Sequence, residues 1–474
     1  MKRILHWFRA DLRIEDNTAL QHAIEHADEV IGIFIITPKT WERHDAAACK
    51  IDFILKNLEE LSETLNARGI PLLIRQTPTF EGSLEILERV CHEHQIDALY
   101  FNHQYEWDEQ QRDAKIIREM KIPVDAYHDQ LVFAPGEILN KQSQPFKVFT
   151  PFKKAWLMQA SHSTAWMPMQ NSRKKFQSNI SRDEIPTTIK EFNNPLDISD
   201  WPAGEKKAKQ RLKEFILHHA ECYNTERDFP MQDGTSKLSA YLAQGVISVR
   251  QCIDAMMQHH NVQQPEQILK YQGTATWLSE LIWREFYKQI AFHFPRVCRN
   301  KPFLLDTETI PWRTNDTLFQ AWCEGKTGFP IVDAAMRQLN QTGWMHNRLR
   351  MITAMFLCKT LFLDWRMGEK YFMSQLIDGD FTANNGGWQW CASTGTDAAP
   401  YFRIFNPTTQ SERFDPDGEF IRHYCPELRR LDNKRIHNPY AKDDMIHELN
   451  YPKPIVDYSK MRKLVIDTFK KAKS

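Results

Sequence analysis

The first 140 residues alternate five short, strand-like apolar runs with longer stretches of helical period. This alternation is typical of a parallel β-sheet flanked by its connecting helices, because parallel neighbours need a crossover connection. The predicted strands are Ile4 to Phe8, Val30 to Ile36, Pro71 to Arg75, Ala98 to Asn102 and Val124 to Tyr127. We therefore predict a doubly wound α/β domain over residues 1–140.

The turn after the first predicted strand lacks the glycines of a dinucleotide-binding fold. It reads Arg9-Ala10-Asp11-Leu12-Arg13, with no G-x-G-x-x-G fingerprint. Without those glycines the backbone cannot cradle a pyrophosphate at the start of the next helix. Any dinucleotide is therefore expected to bind elsewhere in the chain.

Beyond this region the pattern becomes almost wholly helical. Residues 141–200 lose clear periodicity and collect Gln, Ser, Asn, Pro and Lys, which is typical of an inter-domain connector. Residues 201–474 are predicted to form a second, all-α domain. Its predicted helices include Lys206 to Cys222, Val249 to His260, Thr276 to Phe294, Ile331 to Leu339, Arg348 to Leu361 and Lys370 to Leu376.

Composition excludes several classes of protein. No apolar run reaches the roughly 18 residues of a membrane span, and Met1 leads directly into the first strand without a signal region. A cytoplasmic, soluble protein is expected. The nine cysteines form no C-x-x-C pair and the histidines show no H-E-x-x-H spacing, so neither a disulfide framework nor a metal site is expected.

The net charge of zero conceals an uneven distribution. Residues 1–140 contain 15 Lys and Arg against 25 Asp and Glu, so the remainder of the chain carries the excess of basic residues. A basic region permits a polyanionic partner, because Lys and Arg neutralise the phosphates of nucleic acids.

Tryptophan is concentrated in one part of the chain, with eight of the fourteen residues between positions 277 and 390. A single tryptophan at helical spacing usually packs in a core. As a group, however, indoles can stack on nucleobases or relay single electrons. Trp312, Trp365 and Trp388 lie far apart in sequence, so an electron relay requires the fold to bring them together.

One predicted helix presents an unusual face. Glu280, Trp283, Arg284 and Tyr287 recur at i, i+3, i+4 and i+7, which places a carboxylate, a π surface and a cation side by side. Such a face suits a pocket for an extruded base. The alternative is a half-buried helix with an ion pair between Glu280 and Arg284. A similar mixture occurs at Asn347, Arg348 and Met351.

Two polar stretches are candidate ligand sites. Thr235 to Ser239 place hydroxyls and a lysine before a helical run, which predicts an anion site, although N-capping explains the pattern equally well. Asp378 to Asp380 and Asn384 to Trp390 are polar and punctuated by glycine, which favours close approach of the backbone to a ligand. The alternative for that stretch is an ordinary turn.

Five motifs resemble the photolyase and cryptochrome family, and most closely its bacterial folate-antenna members that repair cyclobutane pyrimidine dimers. They are Trp7 to Asn17, Gly234 to Leu242, Trp283 to Tyr287, Gly343 to Met351 and Asp378 to Pro407. The resemblance implies a light-driven lyase that binds FAD without a covalent bond. It also implies that the lesion is flipped out of duplex DNA toward the flavin, and that the protein acts as a monomer without an obligate protein partner.

The resemblance also assigns roles to individual residues. The implied FAD-binding residues are Tyr223, Thr235, Ser236, Lys237, Leu238, Ser239, Trp277, Arg350, Asp378, Gly379 and Asp380, with Arg350 paired to Asp378 and Asn384 facing flavin N5. The implied electron chain is Trp388, Trp365 and Trp312. The implied lesion and DNA contacts are Arg227, Glu280, Trp283, Arg284, Tyr287, Asn347, Arg348, Met351, Trp390 and Arg403.

A second, light-harvesting chromophore is implied by the same resemblance. Asp108, Glu109, Cys298 and Arg299 match its binding residues, although Asp108 stands where relatives carry asparagine and Arg299 where lysine is common. Methenyltetrahydrofolate is the expected antenna, with a deazaflavin, a flavin or an empty site as alternatives. Two alternative functions are a cryptochrome-like photoreceptor, which the amide of Asn384 opposes, and a six-four photoproduct enzyme, whose relatives carry histidines at positions 347 and 351.

Overall fold

The structure is a computed structural model that describes residues 1–441 and 449–473. Residues 442–448 and 474 of the predicted all-α domain therefore lie outside the described residues. The chain forms two compact units. The first comprises Met1–Asn224, Ser236–Pro295 and Ile377–Asp380, and the second comprises Thr225–Thr235, Arg296–Leu376 and Phe381–Ser474.

The first unit contains the predicted parallel sheet. Its strands are β1 (Arg3–Phe8), β2 (Glu29–Ile36), β3 (Leu72–Gln76), β4 (Ala98–Asn102) and β5 (Val124–Tyr127), in the order β3-β2-β1-β4-β5. All residues of β2 and β4 are buried, as expected for parallel strands with both faces covered. The α/β fold class is confirmed, and every predicted strand is present within one residue of its predicted bounds.

Eleven described helices precede residue 295. They are α1 (Thr18–His26), α2 (Pro38–Arg43), α3 (Ala48–Asn66), α4 (Ser83–Glu93), α5 (Trp107–Glu119), α6 (Phe149–Ser161), α7 (Glu205–His218), α8 (Tyr223–Glu226), α9 (Ser239–Ala243), α10 (Val249–His260) and α11 (Gln272–His293). Local sequence signals set several of these ends. Helix α10, for example, begins at a capping box in which Ser248 Oγ accepts a hydrogen bond from the backbone N–H of Gln251.

The remaining helices belong to the second unit, where the part of the chain that the structure describes contains no β-strand. They are α12 (Asp316–Cys323), α13 (Pro330–Thr342), α14 (Asn347–Met355), α15 (Trp365–Gln375), α16 (Phe381–Ala392), α17 (Pro407–Phe414), α18 (Glu419–Tyr424) and α19 (Tyr458–Lys473). Helix α13 starts with Pro330 and stops at Gly343, whose φ of 68° suits glycine.

A large hydrophobic cluster forms the core of the second unit. It buries Trp322, Trp365 and Trp388, and the half-buried Trp312 and Trp390 pack against it. A π-helical turn at Phe356–Leu361 continues α14 through this core. None of the described helices combines the length and the apolar composition that crossing a membrane requires.

The predicted domain boundaries at residues 140 and 200 remain a prediction. The predicted connector, residues 141–200, lies within the first compact unit together with helices α9 to α11. The connector contains helix α6, so its first part is more regular than its composition indicated.

Candidate functional site

The carboxyl edge between β1 and β4 is where open α/β sheets usually bind ligands, because the strand order reverses there. In this chain buried polar side chains occupy that crevice. The Arg9 guanidinium lies 4.4 Å from the Phe101 ring centroid, and its Nη1 is 2.6 Å from Asp113 Oδ1. Beside it, Asn102 Nδ2 donates to Asp11 Oδ2 at 2.6 Å. Buried polar side chains thus line the carboxyl ends of β1 and β4.

Helix α11 places Glu280, Trp283, Arg284 and Tyr287 on one half-buried face, as the spacing predicted. The Arg284 guanidinium donates from Nη1 to the Gln130 carbonyl at 2.8 Å and from Nη2 to the Leu242 carbonyl at 3.3 Å. These bonds give Arg284 a structural role and leave fewer of its donors for a DNA phosphate.

The indole of Trp283 is stacked against Phe149. The two ring centroids are 3.6 Å apart and the planes meet at 9°, so Phe149 covers one face of the indole. Tyr287 packs obliquely at 5.4 Å. A base that stacks on Trp283 can therefore use only the face opposite Phe149.

Glu285, on the buried side of α11, anchors the helix. Its carboxylate accepts hydrogen bonds from the backbone N–H groups of Val132 and Phe133 at 2.8 and 3.2 Å, and from Trp156 Nε1 at 3.0 Å. Burial raises the pKa of Glu285 to about 7, although these donors oppose the rise. This carboxylate fixes the rotation of α11 and hence the direction of its polar face.

The stretch from Thr235 to Ser239 precedes the short helix α9. Leu238 occupies the N-cap position and no side chain caps this helix, so the N-capping alternative is wrong. Ser236 Oγ instead accepts a hydrogen bond from the Leu238 N–H at 3.4 Å, and Lys237 adopts a φ of 48°. The side chains of Thr235, Ser236 and Lys237 are half-buried, and that of Ser239 is exposed.

Trp277 and Tyr223 are both buried. Their side chains are 3% and 8% exposed, and both pack on Phe215, at centroid distances of 4.7 and 5.7 Å. Much of each ring therefore belongs to the core of the first unit.

Two lysines of the first unit hold the segment from Asp378 to Asp380. Lys50 Nζ donates to the Gly379 carbonyl at 2.7 Å, and Lys288 Nζ lies 3.1 Å from Asp380 Oδ2. Lys288 is also 3.1 Å from Glu106 Oε1. Burial disfavours the charge of Lys288, but the carboxylates of Asp380 and Glu106 outweigh it and raise the pKa. The segment predicted to bind the flavin, Asp378 to Asp380, is thus linked through Lys288 to Glu106 at the start of α5.

The predicted antenna residues Asp108 and Glu109 lie in the first turn of α5. His44 joins them, with its Nε2 at 3.0 Å from Asp108 Oδ2 and its Nδ1 at 3.7 Å from Glu109 Oε1. Burial and the charge of Glu106 raise the pKa of Glu109. Cys298 and Arg299 lie in a 3-10 turn of the second unit, where Arg299 is exposed.

The second unit brings two predicted DNA contacts together around one carboxylate. Asp228 Oδ1 accepts from Arg348 Nη2 at 2.7 Å and lies 4.0 Å from Arg227 Nε. Met351 Sδ is 3.8 Å from Arg348 Nη1. Asn347, at the first position of α14, is exposed. The charge of Asp228 reduces the attraction of this pair for phosphate, so its net contribution is smaller than two free arginines would supply.

The stretch from Asn384 to Trp390 is helical, so the alternative of an ordinary turn is wrong for this part of the chain. It lies within α16, whose packing overrides the weak helix propensity of Gly386 and Gly387. Asn384 Nδ2 donates to the Glu369 carbonyl at 2.9 Å, and its Oδ1 accepts no hydrogen bond from the described residues. A methyl group added to Gly387 would meet no atom within 4 Å. The accepting oxygen of the Asn384 amide suits the edge of a flavin ring.

The three tryptophans of the predicted relay belong to one hydrophobic cluster, and their exposure differs. Trp388 and Trp365 are 2% and 1% exposed, whereas Trp312 is half-buried. The Trp388 indole N–H has no hydrogen-bond partner among the described residues. Trp322, which sequence reasoning did not single out, packs edge-to-face on Trp388 at 6.0 Å.

The predicted site residues are divided between the units. The first unit contains Asp108, Glu109, Tyr223, Ser236 to Ser239, Trp277, Glu280, Trp283, Arg284, Tyr287 and Asp378 to Asp380. The second contains Arg227, Thr235, Cys298, Arg299, Trp312, Asn347, Arg348, Arg350, Met351, Trp365, Asn384, Trp388, Trp390 and Arg403. Arg350 Nε donates to the Met345 carbonyl at 2.8 Å, which orients its guanidinium within the second unit.

Besides Trp322, sequence reasoning missed other neighbours of these residues, among them His44, Asp228, Lys288 and Phe402. Phe402 is 59% exposed and precedes the exposed Arg403, which makes an aromatic and cationic pair on the surface. Asp228 follows Arg227 directly, and that adjacency was the available signal. The adjacency of Phe402 and Arg403 was a similar signal, whereas His44 and Lys288 carried none because their partners lie far away in sequence.

Two family models match the chain. One is described as DNA photolyase and covers residues 4–170, and the other is described as FAD binding domain of DNA photolyase and covers residues 277–471. The deoxyribodipyrimidine photo-lyase of Salmonella typhimurium is 45% identical, over 98% of each chain.

Solved structures agree with these matches. The crystal structure of a class III photolyase from Agrobacterium tumefaciens has a TM-score of 0.86 and 33% identity, over 100% of this chain and 98% of that one. An archaeal photolyase from Sulfolobus tokodaii, solved with two FAD molecules, has a TM-score of 0.79 and 30% identity, over 99% and 100% of the chains. The chain therefore belongs to the photolyase and cryptochrome family, with a DNA photolyase domain followed by its FAD-binding domain.

Proposed function

We propose that this chain is a light-dependent lyase that repairs cyclobutane pyrimidine dimers in double-stranded DNA with bound FAD. The observation that carries the proposal is its full-length similarity to a deoxyribodipyrimidine photo-lyase. The carboxylate and indole face of α11 and the tryptophan cluster of the second unit are the features of this chain that the reaction needs.

Several residues are suited to hold the cofactor. The hydroxyls from Thr235 to Ser239 and the side chain of Lys237 suit its phosphates, and the Asp378 to Asp380 segment suits its ribose and ring edge. Asn384 presents an accepting oxygen because its Nδ2 is engaged by Glu369. An amide cannot donate a proton as an acid does, so Asn384 favours the anionic reduced flavin. When bound and reduced, FAD supplies on illumination the electron that opens the cyclobutane ring.

Glu280 and Trp283 are proposed to bind the damaged bases in complementary ways. The free face of Trp283 offers a stacking surface for an everted pyrimidine pair, while Phe149 holds the indole from behind at 3.6 Å. Glu280 is proposed to stabilise negative charge on a pyrimidine carbonyl oxygen through a hydrogen bond, which requires either a proton on the carboxyl or a bound water. Asn347 and Met351 of α14 are also proposed lesion contacts.

The three relay tryptophans would reactivate an oxidised cofactor by passing an electron inward. The buried Trp388 indole N–H has no acceptor among the described residues, so an oxidised Trp388 has no base that takes its proton. It is reduced instead by a neighbouring tryptophan. The Arg366 guanidinium, 4.8 Å from the Trp365 ring centroid, disfavours a lasting positive charge there. The positive charge that electron transfer leaves behind is therefore expected to remain on Trp312, which contacts solvent.

Methenyltetrahydrofolate is the proposed antenna. His44, Asp108 and Glu109 form a partly exposed set of hydrogen-bonding groups that suits a pterin ring. A flavin or deazaflavin between the carboxyl ends of β1 and β4 is the alternative, and there the buried guanidinium of Arg9 is already engaged by Asp113 and Phe101. An absorption spectrum of the purified protein tests this choice. A folate band that weakens in His44→Ala supports it, and a second flavin per chain contradicts it.

The repair reaction itself is tested with purified, fully reduced protein and duplex DNA that carries one dimer. Illumination should restore two thymines, whereas the dark control should not. Glu280→Ala should lower the repair yield more than the flavin content, and Glu280→Gln, which keeps a donor, should lower it less. Absence of restored thymine refutes the proposal, and repair of six-four photoproducts alone would reassign the substrate. We also infer a monomer in the cytoplasm, which gel filtration and cell fractionation check.

A further inference from the structure

Helix α1 carries two histidines and a glutamate on one side of its last turns. The sequence is His22-Ala23-Ile24-Glu25-His26, and its i, i+3 and i+4 spacing places the three polar side chains on one helix face. One donor atom from each lies within 4.8 Å of the others. Although the chain has no H-E-x-x-H, this segment matches the reversed H-x-x-E-H order, which also brings two imidazoles to one side of a helix.

The two imidazole rings are oriented by tyrosines from the sheet. His22 stacks on Tyr127 of β5, with centroids 4.6 Å apart and planes at 16°, and lies nearly parallel to His26 at 5.8 Å. His26 meets Tyr100 of β4 edge-on, with its Nδ1 at 3.4 Å from the tyrosine hydroxyl. A partner on one ring nitrogen fixes a histidine ligand and directs the other nitrogen to the metal. The contacts with Tyr127 and Tyr100 thus limit the orientations that the two imidazole rings can adopt.

The side chains of this group are accessible to solvent and can rotate. The side chains of His22 and Glu25 are 32% and 50% exposed, so a hydrated ion can reach them. Zinc ligands lie about 2.0 to 2.2 Å from the metal, so the donors must approach one another more closely than 4.8 Å. Glu25 Oε2 is already 3.8 Å from His22 Nδ1, and rotation of the exposed side chains of Glu25 and His26 would bring the three donors closer together.

We propose that His22, Glu25 and His26 bind a divalent transition-metal ion, with zinc as the best match. Two imidazoles and one carboxylate are ligands that zinc accepts in tetrahedral geometry, and water completes the fourth position. Bound metal would tie the last turn of α1 together over the tyrosines of β4 and β5. The proposal does not depend on the repair reaction, because none of the residues proposed for repair belongs to the metal site.

A second group, Glu221, His259 and His260, provides a matched control. Its two histidines are adjacent in α10, and adjacent helical positions do not face each other. The Nε2 of His260 is already 2.8 Å from Thr274 Oγ1, and Glu221 belongs to a different segment. This group is therefore expected to bind zinc much more weakly.

The test uses the full-length, FAD-loaded protein after removal of metals with a chelator. Isothermal titration with zinc chloride should show one saturable site, and zinc should raise the thermal unfolding midpoint. The double variant His22→Ala with His26→Ala should weaken binding by more than about tenfold and lose the midpoint shift. The variant His259→Ala with His260→Ala should behave like the original protein.

Two results would overturn the proposal. One is the absence of saturable zinc binding by the original protein, and the other is unchanged binding after both α1 histidines are replaced. Circular dichroism of the metal-free variants guards against misfolding. Glu25→Gln provides a milder change, which should weaken binding while leaving the tyrosine contacts of both histidines intact.

Discussion

Replacement of Gly368 by alanine is the sharpest test of the packing around Trp388. Gly368 lies inside α15, where alanine normally stabilises a helix by about 1 kcal/mol relative to glycine. Here an added Cβ would lie 2.1 Å from Trp388 Cη2, 2.5 Å from its Cζ3 and 2.7 Å from Leu357 Cδ2. Since ordinary carbon contacts are about 3.5 to 4.0 Å, the indole must move by more than about 1 Å.

The surroundings of Trp388 resist such a movement. The ring is 2% exposed and is enclosed by Phe372 at 5.0 Å and Trp322 at 6.0 Å. Overpacking of this kind costs about 1 to 3 kcal/mol, and these contacts belong at the upper end because three atom pairs fall below 3 Å. After subtraction of the gain in helix propensity, we expect Gly368→Ala to lower the free energy of unfolding by about 1 to 2 kcal/mol.

Urea unfolding of the FAD-loaded protein measures the free energy of unfolding, and photoreduction of oxidised flavin reports on the displaced indole. Both should decrease in Gly368→Ala. Gly387→Ala is the matched control, because that helical glycine meets no atom within 4 Å. The free energy of unfolding of Gly387→Ala should increase by about 0.5 to 1 kcal/mol. A Gly368→Ala variant that is more stable than the original, with unchanged photoreduction, would refute this account of the core.

Three further predictions concern Glu285, Lys359 and Trp312. Burial raises the pKa of Glu285 from 4.5 to about 7, so folding favours its protonated form. Stability should therefore fall as the pH rises from about 4.5 through 7, by at most about 3 kcal/mol. Urea unfolding at several pH values should show a flatter profile in Glu285→Gln. Lys359 is fully buried and donates to Ser393 Oγ at 2.5 Å and to the Tyr401 carbonyl at 3.2 Å. Lys359→Met should therefore increase amide exchange between residues 394 and 403 and weaken binding of dimer-bearing DNA, and unchanged exchange would contradict this anchoring role. Trp312→Phe should slow photoreduction of oxidised flavin while repair by previously reduced protein stays intact, and an equal loss of both would exclude the relay.

Sequence periodicity alone predicted most of the local structure. The five strands and the helical face of Glu280, Trp283, Arg284 and Tyr287 follow from spacing, because side-chain direction repeats at a fixed period along the backbone. The missing glycine turn after β1 was also visible, since it depends on five consecutive residues. These features are local, so no knowledge of distant partners was needed.

Only the tertiary structure decided which partners those residues meet. Phe149 covers one face of Trp283, Asp228 neutralises Arg348, and Lys288 joins Glu106 to Asp380, although each pair is separated by more than a hundred residues or belongs to different segments. Packing also made a helix of Gly386 and Gly387, against their propensity. The physical reason is that burial energy depends on which surfaces meet, and a one-dimensional pattern determines the faces of an element but not its neighbours.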